Sequence, residues 1–176
     1  FTPGTSILTA TGNRPVEELR PGDLIVTRDH GLMPLRWVGE RDVTGAALFA
    51  TNGAMAPIVL PAGCFGPGLP AYDLAVSPMH KVLVAQARLP LVIGESEGFV
   101  PARHLLGLNG IRHARETTSV RYLHLLFDAH EVIFSEGTPT ESLHPGSVGL
   151  EGFSAASRES LFAFRPDLRA DPHAYG

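Results

Sequence analysis

The sequence predicts a single, mostly β domain, and three observations carry that prediction. With 176 residues, the chain is long enough to bury roughly 70% of the surface its unfolded form exposes, around one core. Its 19 glycines and 15 prolines interrupt it too often for long helices. Between those interruptions lie short runs rich in β-branched and aromatic residues, and only one segment, near the C-terminus, has convincing helical spacing.

Residues 5–10 form the first β-favouring run, closed by a turn at Thr11, Gly12 and Asn13. Residues 16–19 read as a short helical turn stopped by Pro21-Gly22-Asp23, and residues 24–27 as the next strand. After a turn at Asp29-His30-Gly31, residues 35–38 alternate well enough for a strand with one buried face, on which Trp37 is a core residue. Residues 43–72 carry no charged side chain and seven of the prolines and glycines crowd positions 57–70; the segment is either a buried, looping arm or a surface that packs on something, with residues 56–60 as one edge strand. Residues 71–85 and 89–93 look like a hairpin pair. A brief helix is expected after Pro101, followed by a hairpin turn at Asn109-Gly110 and a returning strand over 111–115. Residues 122–127 and 131–135 read as two strands or one bent strand, with Asp128-Ala129 at the bend. Ser154 is placed to cap a helix over 155–164, stopped by Arg165-Pro166, and the residues beyond Asp167 are expected to fray.

Charge and composition narrow the function. The formal net charge is −4, with 14 basic and 18 acidic residues and no basic run, so the electrostatic footprint of a nucleic-acid binder is missing. No apolar stretch approaches the roughly 20 residues that span a bilayer, and no membrane role is expected. Cys64 is the only cysteine, which excludes an intramolecular disulfide and a cysteine-based zinc site and leaves the redox compartment open. No cofactor or metal is expected, and a monomer is. The chain opens on Phe1 rather than Met, and the expectation is a processed or trimmed product.

Three stretches carry chemistry. Ser77-Pro78-Met79-His80 puts a hydroxyl and an imidazole inside an apolar, strand-like run over 73–85; the opening is Phe1-Thr2-Pro3-Gly4-Thr5; and residues 120–137 hold Tyr122, His124 and His130 before Gly137. Taken alone, a Ser-x-x-His more often turns the chain while the imidazole satisfies a backbone carbonyl. In this order, the three resemble the Hint (hedgehog/intein) superfamily of self-processing domains, in particular its bacterial intein-like branch. The resemblance covers residues 1–146 and implies a horseshoe-like β-fold of pseudo-twofold architecture, with residues 147–176 as a C-terminal helical extension of the same domain.

The resemblance also implies a mechanism. In such domains a cysteine attacks the carbonyl of the peptide bond before it, exchanging an amide for a thioester; because the planar amide resists this, the site must polarise the carbonyl and protonate the leaving nitrogen. His80 would be the proton donor, having an ordinary pKa of about 6.5, and Ser77 would orient the amide or hold the oxyanion in place of the family's threonine. His130 falls where the later motif places a histidine that activates the thiol or assists later steps, with His124 as a competitor. The partners are the flanking segments of the domain's own precursor, in a single-turnover reaction.

Several departures bound that expectation. The family opens Cys-Phe-x-x-Gly-Thr, so the nucleophile belongs immediately before Phe1, Cys64 lies in the wrong place to replace it, and the chain as given is expected to be inert. Splicing relatives close on His-Asn, whereas Asn109 is the last asparagine here, so N-terminal cleavage, with or without ligation, is expected and full splicing is not. No Asp or Glu lies between Asp42 and Asp73, against sterol transfer. The segment 140–146 also looks like the bacterial branch, with an exposed loop as its bland reading. Two other classes stay open: a non-catalytic β-module binding a peptide or partner through the arm at 43–72, and a serine hydrolase on Ser77 and His80, which lacks a Gly-x-Ser-x-Gly elbow.

Overall fold

The computed structural model describes residues 1–53, 55–85, 96–114, 117–147, 150–171 and 175. In chain order its strands are β1 (Ser6–Thr9), β2 (Gly12–Pro15), β3 (Leu24–Thr27), β4 (Gly31–Pro34), β5 (Trp37–Thr44), β6 (Ile58–Leu60), β7 (Leu74–Val76), β8 (Lys81–Ala85), β9 (Glu97–Pro101), β10 (Arg112–His113), β11 (Ser119–Leu126), β12 (Val132–Ser135) and β13 (Thr138–Glu141). The helices are α1 (Ala46–Gly53), α2 (Ala155–Phe164) and α3 (Asp167–Ala170). The mostly β expectation holds.

Among the described residues, three antiparallel sheets organise the chain. Eight strands form the largest, in the order β2-β1-β3-β12-β13-β8-β9, with β4 beside β3 and a further β1–β12 contact. β10, β6 and β7 form a second, and β5 and β11 pair in register over eight residues, from Ser119 opposite Thr44 to Leu126 opposite Trp37. The main core lies between these layers and takes Phe1, Ile7, Ile25, Ile58, Leu60, Leu74, Val82, Leu125 and Ile133, all almost completely buried. Each aliphatic side chain so enclosed contributes about 1.5–3 kcal/mol of transfer free energy. A second apolar cluster, with Trp37, Leu126, Phe153, Leu161 and Tyr175, seats α2 and α3 on β5 and β11.

Local chemistry explains most elements. Ser154 caps α2, its hydroxyl accepting from the Ser157 N–H at 3.0 Å, and Trp37 Nε1 donates to Ser160 Oγ at 2.8 Å, which ties the helix to β5. The run at 24–27 is a strand as expected, and so are those at 5–10 and 122–127 apart from their ends. The uncharged arm is largely interior: Leu48, Ile58, Leu60, Cys64 and Phe65 are buried, although Phe49 and Tyr72 are exposed.

Several expectations are corrected. The arm holds a helix, α1, that the density of Gly and Pro concealed. β6 is the central strand of its sheet, not an edge, because both β7 and β10 pair with it. The run at 71–85 is not one strand: β7 and β8 belong to different sheets, β8 pairs with β9, and the proposed partner at 89–93 lies outside the described residues. Asn109 and Gly110 do form a tight turn with φ of 45° and 80°. It follows a 3₁₀ turn at Ala102–Leu105, and β10 pairs with β6 instead of with a strand across the turn. The segment at 140–146 is not an exposed loop, since Thr140, Glu141, Ser142 and Leu143 are all buried. Beyond Asp167 the chain forms α3 before the last described residues.

Candidate functional site

Ser77 and His80 owe their proximity to a turn. Pro78 fixes its own φ near −65°, suited to the second position of a four-residue turn, and the His80 N–H donates to the Ser77 carbonyl at 3.0 Å to close it. The two side chains therefore escape strand alternation, which would send residues three apart to opposite faces. The 3₁₀ turn after Pro101 clamps this loop, with the Ala102 N–H donating to His80 O and the Arg103 N–H to Pro78 O, both at 2.9 Å.

Phe1 is threaded between two sheets. Its nitrogen donates to Leu123 O at 2.9 Å, and the Leu123 N–H returns a bond to Phe1 O at 2.7 Å. Next, Thr2 reaches β7, its hydroxyl donating to Ala75 O at 3.0 Å. The Thr5 hydroxyl donates to Thr2 O at 2.8 Å and the Gly4 N–H donates to the Glu17 carboxylate at 2.8 Å. Gly4 sits at a φ of 86°, in the left-handed region that glycine tolerates best. Only 2% of Phe1 is exposed, and its ring lies edge-on to His80 with centroids 4.4 Å apart. Burial pushes the Phe1 amine down to about 5.

Phe1, Ser77, His80, His124, Glu141 and His144 share the wall of a cavity of about 150 Å³, room for several atoms of a substrate backbone. Burial holds the His80 and His124 imidazoles well below the ordinary histidine value; the Phe1 amine adds to this for both, and His124 further disfavours a charge on His80. Nε2 of each is closed off from solvent and has no hydrogen-bond partner among the described residues. Such buried, unpaired nitrogens are rare and leave each ring free to take or give a proton.

His130 stands one layer back. It does not line the cavity, but its Nε2 is 3.6 Å from Glu141 Oε2, which is 3.2 Å from Lys81 Nζ. Its ring also sits 5.6 Å from that of His144. Of the residues singled out from sequence, the cavity thus brings together Ser77, His80 and His124, and reaches His130 through Glu141. Glu141, Ser142 and His144 were missed as site residues. Their signal was the Glu141-Ser142-Leu143-His144 stretch itself, whose polar residues read as solvent-facing until β13 is known to be enclosed.

Cys64 does not line this cavity. It is buried in the main core and its thiol is pushed up to about 11, chiefly by burial, which disfavours the reactive thiolate. Among the described residues no three His, Cys, Asp or Glu side chains converge as a metal ion requires, and no helix is long and apolar enough to cross a membrane.

Comparison with known proteins gives one family. The model of the Hint domain matches residues 1–147. Among solved structures, the chain is similar to the MchDnaB-1 intein at 11% identity and a TM-score of 0.49, covering 79% of this chain and 97% of that one. It is also similar to the bacterial intein-like domain from Clostridium thermocellum at 17% identity and a TM-score of 0.49, covering 81% and 97%. No curated protein matches.

Proposed function

The chain belongs to the Hint domain family, and from that premise we propose that it is an autoprocessing domain acting on a peptide bond of its own precursor just upstream of Phe1. In that precursor a cysteine precedes Phe1. Its sulfur attacks the carbonyl carbon of the residue before it, the C–N bond breaks, and an upstream thioester forms that an external nucleophile resolves. The outcome is N-terminal cleavage, or ligation when the acceptor is an amine.

The observation that carries this reading is the seating of Phe1, buried with its ring 4.4 Å from His80 and its nitrogen bonded to Leu123. A residue joined to that nitrogen enters the cavity that Ser77 and His80 line. Exclusion of water there strengthens every dipole aimed at the amide. His80 gives its proton to the leaving nitrogen, since an amine anion is too basic to depart unprotonated. Ser77 donates to the carbonyl oxygen as negative charge develops on it. His130, held beside Glu141 and His144, serves the later step, in which the incoming acceptor loses a proton.

The test is a precursor in which a short peptide and a cysteine precede Phe1, followed by mass spectrometry. It should cleave before the cysteine, faster with dithiothreitol, which captures the thioester. His80→Ala should abolish cleavage. Equal rates for parent and His80→Ala precursors would remove His80 from the mechanism, and a precursor that never cleaves would remove the activity.

A further inference from the structure

The pairing of Phe1 with β11 fixes where a preceding residue must go. Phe1 and Leu123 exchange both backbone hydrogen bonds, at 2.9 and 2.7 Å, the pattern of a hydrogen-bonded pair in an antiparallel ladder. One step back along that ladder, the residue before Phe1 lies opposite His124. That next pair is of the closer, non-hydrogen-bonded kind, with its two side chains on one face about 4.5–5.5 Å apart at Cβ. On its other flank His124 faces Gly39, whose missing side chain leaves space that the Trp37 ring already fills. Phe153 closes the remaining side, its ring edge-on to the imidazole with centroids 4.8 Å apart.

His124 is therefore walled by the Trp37 and Phe153 rings and shares the cavity wall with Phe1, toward the position before it. Its Nε2 is buried and unpartnered among the described residues, an arrangement that is ordinarily destabilising. A thiol arriving opposite it supplies the missing partner. His130 has no such access, because it lies outside the cavity wall and beside Glu141.

We propose that His124 is the catalytic base that takes the thiol proton of the cysteine preceding Phe1, with Phe153 as the positioning residue that keeps its ring dry and aimed; the assignment rests on the self-processing reading above. The proton passes from sulfur to His124 Nε2. The sulfur lone pair forms the new bond to the upstream carbonyl carbon, and the C–N bond breaks with its electrons remaining on nitrogen. His80 protonates that nitrogen and is restored by the proton on His124, so one proton moves from sulfur to nitrogen and nothing is oxidised. The charged or titratable groups facing His124 are the Phe1 amine, Arg41 and His80, with Lys81, Glu141 and His144 elsewhere on the same cavity wall. In the precursor the Phe1 nitrogen is an uncharged amide, and what keeps His124 neutral and able to accept is chiefly its burial, with the Arg41 guanidinium adding to it.

Two measurements test it. In the full chain starting with that cysteine, labelled with ¹³C at Cβ, no bond remains to be broken and the thiol can be titrated by NMR. His124→Gln, or the shorter His124→Asn if the glutamine variant does not fold, should shift the thiol pKa by about one unit, since it removes the neutral imidazole that accepts from the S–H. Identical titrations in parent and variant overturn the proposal whether or not any precursor cleaves. In the precursor, His124→Gln should slow thioester formation about 10²-fold, with parent-like rates overturning the proposal. Phe153→Leu should keep the thiol response to His124 but raise the imidazole pKa as water enters; an unchanged imidazole pKa removes Phe153 from the positioning role. Failure of the parent precursor to cleave counts against the self-processing reading instead.

Discussion

Ser77 and His80 were legible as a pair and illegible as a geometry. Their residue types and the apolar residues on either side stand in the sequence, whereas the bond from the His80 N–H to the Ser77 carbonyl, which turns both toward Phe1, depends on a loop clamped from Ala102 and Arg103. Because the hydroxyl at 77 acts as a donor, Ser77→Thr should retain cleavage in a cysteine-bearing precursor and Ser77→Ala should slow it about 10²-fold; equal rates for both variants would show that the hydroxyl takes no part. The half-buried imidazoles also set the pH response of the fold. His80 and His124 are held below the ordinary value by burial, so each binds fewer protons folded than unfolded. Stability present above about 6.5 is then withdrawn as pH falls below it. The Phe1 amine, pushed to about 5, adds to the same trend from about 8 downward. His30, raised by its hydrogen bond to Glu131, acts oppositely but is largely exposed. Urea midpoints should therefore fall from about pH 7.5 to about pH 5.5, and a midpoint that is flat or rising across that range would contradict the burial of these groups.

At the scale of elements, the misplaced hairpin is the instructive case. Asn109-Gly110 has the preferred residues for a two-residue turn with both φ positive, and it adopts them, yet the paired hairpin forms at Glu136-Gly137, where φ is 48° and 74° and Ser135 faces Thr138. Glutamate is a poor choice for that backbone. Here its carboxylate accepts the Ser6 N–H at 2.7 Å and its own N–H donates to Ser6 O at 2.9 Å, bonds across 130 residues that no local pattern reveals. This turn starts β13, whose last residue is Glu141, followed by Ser142. The long-range bond is what holds glutamate in a backbone conformation it otherwise avoids. Glu136→Gln, which keeps the turn strain but weakens the acceptor, should therefore destabilise the domain by about 1–2 kcal/mol, read as a lower urea midpoint with unchanged slope. The C-terminal helix was the opposite case, since a Ser cap and an apolar face are local signals. Ser154→Ala should cost about 1 kcal/mol, or roughly 2–4 °C in Tm for a chain of this size. No change in Tm would mean that packing of Leu161 and the Trp37–Ser160 bond alone hold α2 in place.

At the scale of the whole molecule, the three motifs are scattered in sequence because the site is assembled from separate sheets. Phe1 bonds to β11 on one side while Thr2 bonds to β7 on the other, and β13 brings Glu141 and Ser142 past the same cavity. Their order along the chain was readable, and their convergence follows from long-range pairings that periodicity cannot show. The same convergence decides what happens downstream. After β13 the chain runs Ser142-Leu143-His144-Pro145, so an imidazole lines the cavity where the chain leaves it, but the next residue is proline and no asparagine occurs after Asn109. Release of a downstream segment by side-chain cyclisation needs a carboxamide positioned to attack its own backbone carbonyl, and proline offers neither that group nor an N–H. A precursor carrying proteins on both sides should therefore lose the upstream one and keep the downstream one, as two bands of defined mass on denaturing gels. A ligated product with the mass of the two flanking proteins joined would overturn this, and would require some group other than an asparagine carboxamide to break the downstream bond.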